Sequence, residues 1–396
     1  MDNVIYLDNN ATTRVDAEVF VAMQPFFCER YGNPSSIHRF GGSVAADIEK
    51  ARCRVADLLG ASFRDKDGIA TEIIFTSCGT EGDNAAINAA LNAKPERKKI
   101  VTTCVEHPGI LAYCKELSRR GYEVAYAPVD GRGRLDMEFM KKEVDENTAI
   151  VTVMWANNET GTIFPVAELV GLAHEKGALF HTDAVQAAGK VQIDVDGLGI
   201  DFLSISGHKL HAPKGVGALF VRRGLRFRPL IFGGHQERSR RAGTENVTSI
   251  IGLGKACELA QAYLPAERLQ LAELRDRLEK GVLERIPNVR INGDIENRLP
   301  NTASISFEYI EGESILMLLD RLNICASSGS ACTTGSLEPS HVLRAMGLPY
   351  TAAHGTIRFS LSRFNTAAEI DKVIEALPPI IAQLREISPY WQERGK

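Results

Sequence analysis

The sequence predicts an α/β protein, a mostly parallel sheet wrapped by helices and followed by a smaller α+β unit. Three observations carry this. Short apolar runs alternate with amphipathic stretches of helical spacing from about residue 43 to residue 181. The run Ala149 to Trp155 is nearly all apolar, as expected of a central strand covered on both faces. From about Pro265 the alternation gives way to a long charged, leucine-periodic stretch and then to isolated strands and helices.

The elements follow in order. Ser43 to Leu59 places Val44, Ile48, Ala51, Val55, Leu58 and Leu59 at helical spacing and stops at Gly60, a residue suited to a helix end. Glu72 to Thr76 reads as a strand, Glu81 to Ala93 as a helix, Lys99 to Thr103 as a strand and Pro108 to Arg120 as a helix. Pro165 opens another helix to Lys176, and Ala178 to His181 returns as a strand. Beyond Pro265, helical periodicity runs to Glu284. It is followed by a strand at Thr302 to Phe307, a helix at Glu313 to Leu322, a short strand, and a strand at Thr356 to Ser360. A closing helix spans about Ala367 to Arg385, where Pro378-Pro379 is expected to break or kink it.

Composition narrows the function classes. At 396 residues, with 44% hydrophobic and 24% charged, the chain has the make-up of a soluble globular protein of two or three domains' length. The net charge of −4 gives no general attraction to nucleic acid or anionic membrane. The arginines at 222, 223, 226, 228, 238, 240 and 241 form a local basic stretch, but only Phe227 and Phe232 accompany them, so a solvated or subunit-interface stretch is expected. No apolar run reaches a membrane span, and Met1-Asp2-Asn3 begins no signal or transit segment, which makes the cytoplasm the default address. The eight cysteines include no Cys-x-x-Cys pair and read as reduced thiols, with no intrinsic metal site.

Chemistry concentrates around Lys209. It ends the run Ser206-Gly207-His208-Lys209 just after an apolar strand, and Asp183 ends His181-Thr182-Asp183 after another. A lone lysine near a glycine is usually solvated. A lysine and an aspartate at the ends of two buried strands are what a pyridoxal-phosphate site needs, an amine to bond the aldehyde and a buried carboxylate to keep the pyridine nitrogen protonated. Cys78-Gly79-Thr80-Glu81-Gly82, between a strand and a helix, offers backbone N–H groups to a phosphate, though it is equally an ordinary helix start. Arg358, between Ile357 and Phe359, is a candidate clamp for a carboxylate. Cys332 lies in Ser327-Ser328-Gly329-Ser330-Ala331-Cys332-Thr333-Thr334-Gly335-Ser336, a small polar segment that reads as a mobile loop and lacks the apolar neighbours of a structural cysteine. Cys325 reads as core. No strand-linked G-x-G-x-x-G appears in the early region, which argues against a nicotinamide oxidoreductase.

Six motifs recur in this order along essentially the whole chain of the NifS/IscS-type cysteine desulfurases, which this sequence resembles. They are Tyr6-Leu7-Asp8-Asn9-Asn10-Ala11-Thr12-Thr13, Asn33-Pro34-Ser35-Ser36-Ile37-His38, Asn157-Asn158-Glu159-Thr160-Gly161, Ser206-Gly207-His208-Lys209, Arg241-Ala242-Gly243-Thr244-Glu245-Asn246 and Ser328-Gly329-Ser330-Ala331-Cys332. Trp155 to Gly161 and Gly233 to Arg238 look more like the nitrogen-fixation branch than the housekeeping one. The resemblance implies the pyridoxal-phosphate-dependent fold-type I, aminotransferase-like architecture. Its large domain, with a seven-stranded sheet, would span residues 16–263, and residues 1–15 and 264–396 would form the small domain carrying the Cys332 loop.

It further implies Gly79, Thr80, Ser206 and His208 on the cofactor phosphate, with Thr244 reaching in from the neighbouring subunit of a homodimer. His107 would stack on the ring and shuttle protons, Asn158 and Gln186 would meet the ring hydroxyl, and Asp183 the ring nitrogen. Arg358 would hold the substrate carboxylate, helped by Asn33 and Asn158. The implied reaction takes sulfur from L-cysteine onto Cys332 as a persulfide, releases L-alanine, and passes the sulfur to an iron-sulfur scaffold protein, with nitrogenase metalloclusters as the expected destination. Cys332 would be a cluster ligand only transiently, with that scaffold. An aminotransferase or β-lyase would share Lys209 and Asp183 without needing Cys332. Selenocysteine lyase activity, a housekeeping sulfur donor and a non-catalytic sulfur carrier are the other readings, the last opposed by the intact Lys209, Asp183, His107 and Cys332 set.

Overall fold

The computed structural model describes residues 4–328 and 339–393. The chain enters on the short strand β1 (Ile5–Tyr6) and passes through the helices Ala17–Met23, Pro25–Cys28 and Arg39–Leu59. The last of these starts four residues before the periodic stretch, because His38 caps it by accepting the Gly41 N–H, and it ends at Gly60 with φ 71°. Seven strands follow: β2 (Ile73–Thr76), β3 (Lys99–Thr103), β4 (Glu123–Ala127), β5 (Thr148–Thr152), β6 (Leu179–Asp183), β7 (Phe202–Ser206) and β8 (Gly217–Val221). They form one sheet in the order β2-β8-β7-β6-β5-β3-β4. Only β8 runs antiparallel to its neighbours; the remaining pairs, from β7 to β4, are parallel.

Successive side chains of these strands enter different cores. Val101, Val151, Phe180 and Leu203 pack on one face with the helices Arg39–Leu59, Val166–Glu175 and the first part of Val247–Arg285. Ile100, Ile150, Leu179 and Phe202 pack on the other with Gly79–Ala93 and Pro108–Arg119. This two-faced burial is why the strands read as continuous apolar runs rather than as alternations. Burying one such side chain as fully as Phe180 contributes on the order of 2–3 kcal/mol.

The change of pattern at Pro265 does not mark the start of an element. One helix of 39 residues, Val247–Arg285, runs through it. Its first part lies against Arg39–Leu59 so closely that a Cβ on Gly254 would stand 2.6 Å from the Ala51 Cα and Cβ. Its second part packs on the helix Ala367–Ile387, where a Cβ on Gly281 would meet Ile374 Cδ1 at 2.6 Å. That closing helix likewise continues through Pro378 and Pro379, so the expected break does not occur.

The third core lies between these helices and a small antiparallel sheet. Strands β9 (Val289–Asn292) and β10 (Thr302–Phe307) pair with each other; then come β11 (Ile324–Cys325) and β12 (Thr356–Ser360), giving the order β12-β10-β9. Strand β1 pairs in parallel with β11, and the Ser360 N–H donates to the Leu7 carbonyl at 2.7 Å. The start of the chain is thereby stitched to its end. Among the described residues no helix is long and apolar enough to cross a membrane.

Candidate active site

A cavity of about 320 Å³ opens where the carboxyl ends of the parallel strands meet the N-terminal segment. In an open parallel sheet this is where strand ends expose backbone and side chains to a ligand. Asp183 ends β6 and Ser206 ends β7, while His107 and Asn158 follow β3 and β5. Lys209 closes a single 3-10 turn, Gly207–Lys209, directly after β7, and projects into the same space.

At one side stands the N-terminus of the helix Gly79–Ala93, 15 residues long. Its N-cap, Cys78, makes no side-chain capping bond, so the first N–H groups face the cavity with the positive end of the helix. A Cβ on Gly79 would come within 2.7 Å of Val185 Cγ2, so only glycine lets the backbone sit here. Thr80, Ser206 and His208 line the same side. The His208 imidazole is pushed down to about 4, by burial first and then by the charges of Lys209 and Lys214, and its Nδ1 lies 3.2 Å from Thr12 Oγ1. The set is a built receptacle for an anion.

Lys209 Nζ donates to the carbonyls of Asn10 and of Ala11, the latter at 2.6 Å. Asn10 O also accepts the Gln186 amide at 3.0 Å, which leaves Gln186 Oε1 buried at the cavity wall without a partner among the described residues. Burial raises Asp183 above the ordinary carboxylate range, while His107 and Lys209 pull it back. His107 is held in the neutral form, by burial first and then by Lys209 and His341. Its Nδ1 accepts the Gly109 N–H at 3.1 Å, so the neutral ring carries its proton on Nε2. Arg358, in the middle of β12, donates to Asp8 Oδ1 and to the Asn158 carbonyl at 3.0 Å each, and its buried Nε has no partner among the described residues. An unpaired buried donor and an unpaired buried acceptor in one cavity point to a polar ligand.

Not every expected residue comes to the cavity. Asn33 is exposed in a turn where its Oδ1 accepts the Ser35 N–H. Thr244 is exposed too, in the segment before the helix Val247–Arg285. That segment hangs from Glu237, whose buried carboxylate takes Arg52 Nη2 at 2.9 Å and the Phe75 N–H at 3.0 Å while Glu237, Arg238 and Ser239 all have positive φ. Cys332 lies outside the described residues. The arginine-rich stretch is largely engaged: Arg222 binds Asp201, Arg238 binds Glu49 and Arg241 binds Glu81.

Other residues reach the cavity without having been expected there. Asn10 works mainly through its carbonyl, which no side-chain pattern reveals. Asp83 left a readable signal, a carboxylate on the helix face that also carries the buried Ala86, Ile87 and Ala90. Cys78, read in the sequence only for the backbone of its segment, brings a thiol to the cavity wall.

The buried histidines set an acid limit on the fold. His181 is pushed from 6.5 to about 3 by burial, and His211 to about 4 by burial and the charge of Arg363. Between pH 6.5 and about 4 the unfolded chain takes up protons at these sites that the folded chain refuses. Their contribution to stability therefore falls as pH falls through that window, by about 1.4 kcal/mol per pH unit for each histidine, while buried Glu106, pushed up to about 8, contributes in the opposite sense. The change in urea midpoint between about pH 7 and about pH 5 should shift toward greater stability at pH 5 in His211→Gln relative to wild type. The same pH dependence in both would contradict burial of a neutral His211 ring.

The family comparison agrees with this geometry. Residues 5–373 match the aminotransferase class-V family model, and the chain belongs to that family. Within it, the chain is a relative of the NifS-type cysteine desulfurases. It is 59% identical over 391 residues to the cysteine desulfurase NifS of Azotobacter vinelandii, covering 99% of this chain and 96% of that one. It is 58% identical over 393 residues to a cysteine desulfurase of Trichormus azollae, with the same coverage. Among solved structures, a NifS-like protein superposes with a TM-score of 0.89 at 40% identity, covering 96% of this chain and all (100%) of the other. SspA in complex with cysteine superposes with a TM-score of 0.80 at 34% identity, covering 91% and 100%.

Proposed function

We propose that the chain uses pyridoxal phosphate, bound in the cavity at Lys209, to move sulfur from L-cysteine to Cys332 and onward to an iron-sulfur scaffold protein. The observation that carries this reading is one cavity joining an uncapped helix N-terminus, a strand-end lysine and a buried aspartate. The residues fit the cofactor. The helix start at Gly79 and Thr80, with Ser206 and His208, suits its phosphate, and Gln186 Oε1 and Asn158 suit its ring substituent. When bound, pyridoxal phosphate supplies an electron sink for bonds breaking at the substrate's carbon skeleton.

The chain's own residues do the rest. Lys209 would hold the aldehyde and serve as the base that moves the proton at the substrate α-carbon. Asp183 would hold a proton on the ring nitrogen. His107 would lie beside the ring and offer the proton on Nε2. Arg358 takes the substrate carboxylate, using the Nε that is otherwise unpaired. The Cys332 thiolate attacks the substrate sulfur: a sulfur–sulfur bond forms, the carbon–sulfur bond breaks, and the three-carbon remainder leaves as alanine after protonation. Incubation with L-cysteine and a thiol should yield alanine and sulfide in equal amounts. Pyruvate and ammonia instead would indicate a β-lyase.

The remaining parts of the reading concern assembly. Residues 16–263 would form the cofactor domain and residues 1–15 with 264–396 the small domain, the boundary falling within the helix Val247–Arg285. A cytoplasmic homodimer would bring the exposed Thr244 to the partner's phosphate site. An exposed apolar group supports a subunit contact: Phe20, Val21, Phe27, Tyr31, Ile37 and Phe40. Sedimentation equilibrium should give the mass of two chains, and Ile37→Asp should move the equilibrium toward monomer. A fully active monomer would overturn this assembly. The relationship to NifS favours delivery to nitrogenase metalloclusters over general iron-sulfur assembly.

A further inference from the structure

Beneath the cavity lies a group of buried polar side chains that the proposed chemistry does not use. Asp83 stands one turn into the helix Gly79–Ala93, is 1% exposed, and lines the cavity together with Asp183. Its Oδ1 has no hydrogen-bond partner among the described residues. The helix approaches the sheet as closely as glycine allows, since a Cβ on Gly82 would stand 2.8 Å from Ser204 Oγ. Under Asp83 is His181, fully buried and two residues before Asp183 on the same face of β6. Its Nε2 lies 3.6 Å from Asp83 Oδ1, and its ring nitrogens meet Thr152 Oγ1 at 2.8 Å and Ser204 Oγ at 3.0 Å.

Two buried carboxyls in one small cavity cannot both carry full charge. The surroundings decide which one does. Asp183 faces the Lys209 ammonium and the His107 ring and accepts the Val185 N–H at 2.9 Å. Asp83 faces Asp183 and Glu106 as like charges and Cys78 as a further acid, with only the Ser204 hydroxyl favouring its anion. His181 offers no positive charge, because burial keeps it neutral. Burial is the largest influence on Asp83 and opposes its ionisation.

We propose that Asp83 and Asp183 hold one proton between them and that it resides on Asp83, making Asp83 a positioning residue that keeps the pair's negative charge on Asp183. This rests on the reading of Asp183 as the partner of a protonated ring nitrogen. A second charge on Asp83 would tighten that hold, and a proton on Asp183 would abolish it. The neutral Asp83 fixes the site between these limits.

Infrared spectra of the protein, with carbon-13 label confined to aspartate, test the assignment with and without cofactor. A protonated carboxyl band should persist at about pH 7, where an ordinary aspartate is ionised, and should vanish in Asp83→Asn. The aspartate label separates this band from that of Glu106, which burial pushes up to about 8. In the cofactor-loaded protein, the pH midpoint of the bound chromophore should move by less than about one unit in Asp83→Asn, because the amide mimics the neutral acid. No protonated aspartate band in the wild type, a band that survives Asp83→Asn, or a fall of the midpoint by more than about one unit would each overturn the proposal. The reading of Asp183 fails separately, if Asp183→Asn leaves the chromophore unchanged while the Asp83 results stand.

Discussion

Lys209→Ala is expected to abolish turnover and the covalent attachment of the cofactor together. Lys209 is the amine that a 3-10 turn delivers from the end of β7 between Ser206 and His208, with its Nζ cradled by the carbonyls of Asn10 and Ala11. Alanine removes the amine and leaves the helix start at Gly79 and the hydroxyl of Ser206 intact, so the phosphate can still be held reversibly. Alanine production from L-cysteine should drop by several orders of magnitude, since both attachment and proton movement depend on one nitrogen. Borohydride treatment followed by peptide mass mapping provides the check. Wild type should carry reduced cofactor on the peptide containing Lys209, and the variant should carry none. Label retained elsewhere with full turnover would remove Lys209 from its role.

Cys332→Ala should separate cofactor binding from sulfur extraction. The residues that line the cavity and fit the cofactor lie on β6, β7, the helix Gly79–Ala93 and the segments after β3 and β5, so cofactor retention should stay at the wild-type level. Alanine and sulfide formation should fall by several orders of magnitude. Treated with L-cysteine and no reductant, wild type should carry one extra sulfur on the peptide containing Cys332. Two rival thiols sharpen the test. Cys325 sits in β11, where burial and the charges of Asp320 and Asp8 raise its thiol, which makes it a poor nucleophile. Cys78 lies on the cavity wall at a helix N-terminus. Extra sulfur on the Cys78 peptide, or near-normal turnover in Cys332→Ala, would identify another nucleophile.

The parts of the fold that the sequence made readable are those whose burial is uniform. Strands β3, β5, β6 and β7 are buried along their length and stand out as apolar runs. The edge strand β4 is exposed at Glu123 and Tyr126, and β8 returns antiparallel without a crossover helix, so neither fitted the alternation. The first part of the helix Val247–Arg285 was missed although Ile250, Leu253, Cys257 and Ala260 recur at helical spacing, because Gly252 and Gly254, which let the helix pack closely, read as helix-weakening residues among them. In the site, Lys209, Asp183, His107 and Arg358 were legible because side chains perform their tasks. The cradle of Lys209 was not, because it is made of two backbone carbonyls. Thr244 and Asn33 lie exposed and outside the cavity lining, and sequence spacing alone could not say so.

The stitching of the N-terminal segment to β11 and β12 has a consequence for how the protein is made. Asn10 and Ala11, which receive Lys209, lie 199 and 198 residues before it, and Asp8, which receives Arg358, lies 350 residues before it. Leu7 bonds Cys325 and Asn9 bonds Ser360, while Thr13 bonds His208, so the segment is tied on one side to the central sheet and on the other to strands made much later. Closing a contact across 350 residues carries a loop-closure cost that is met only once β12 has been made. The central sheet can form earlier, with Lys209 in place but the segment that cradles it held on one side only. A chain truncated before β12 should therefore hold a ligand in this cavity out of register.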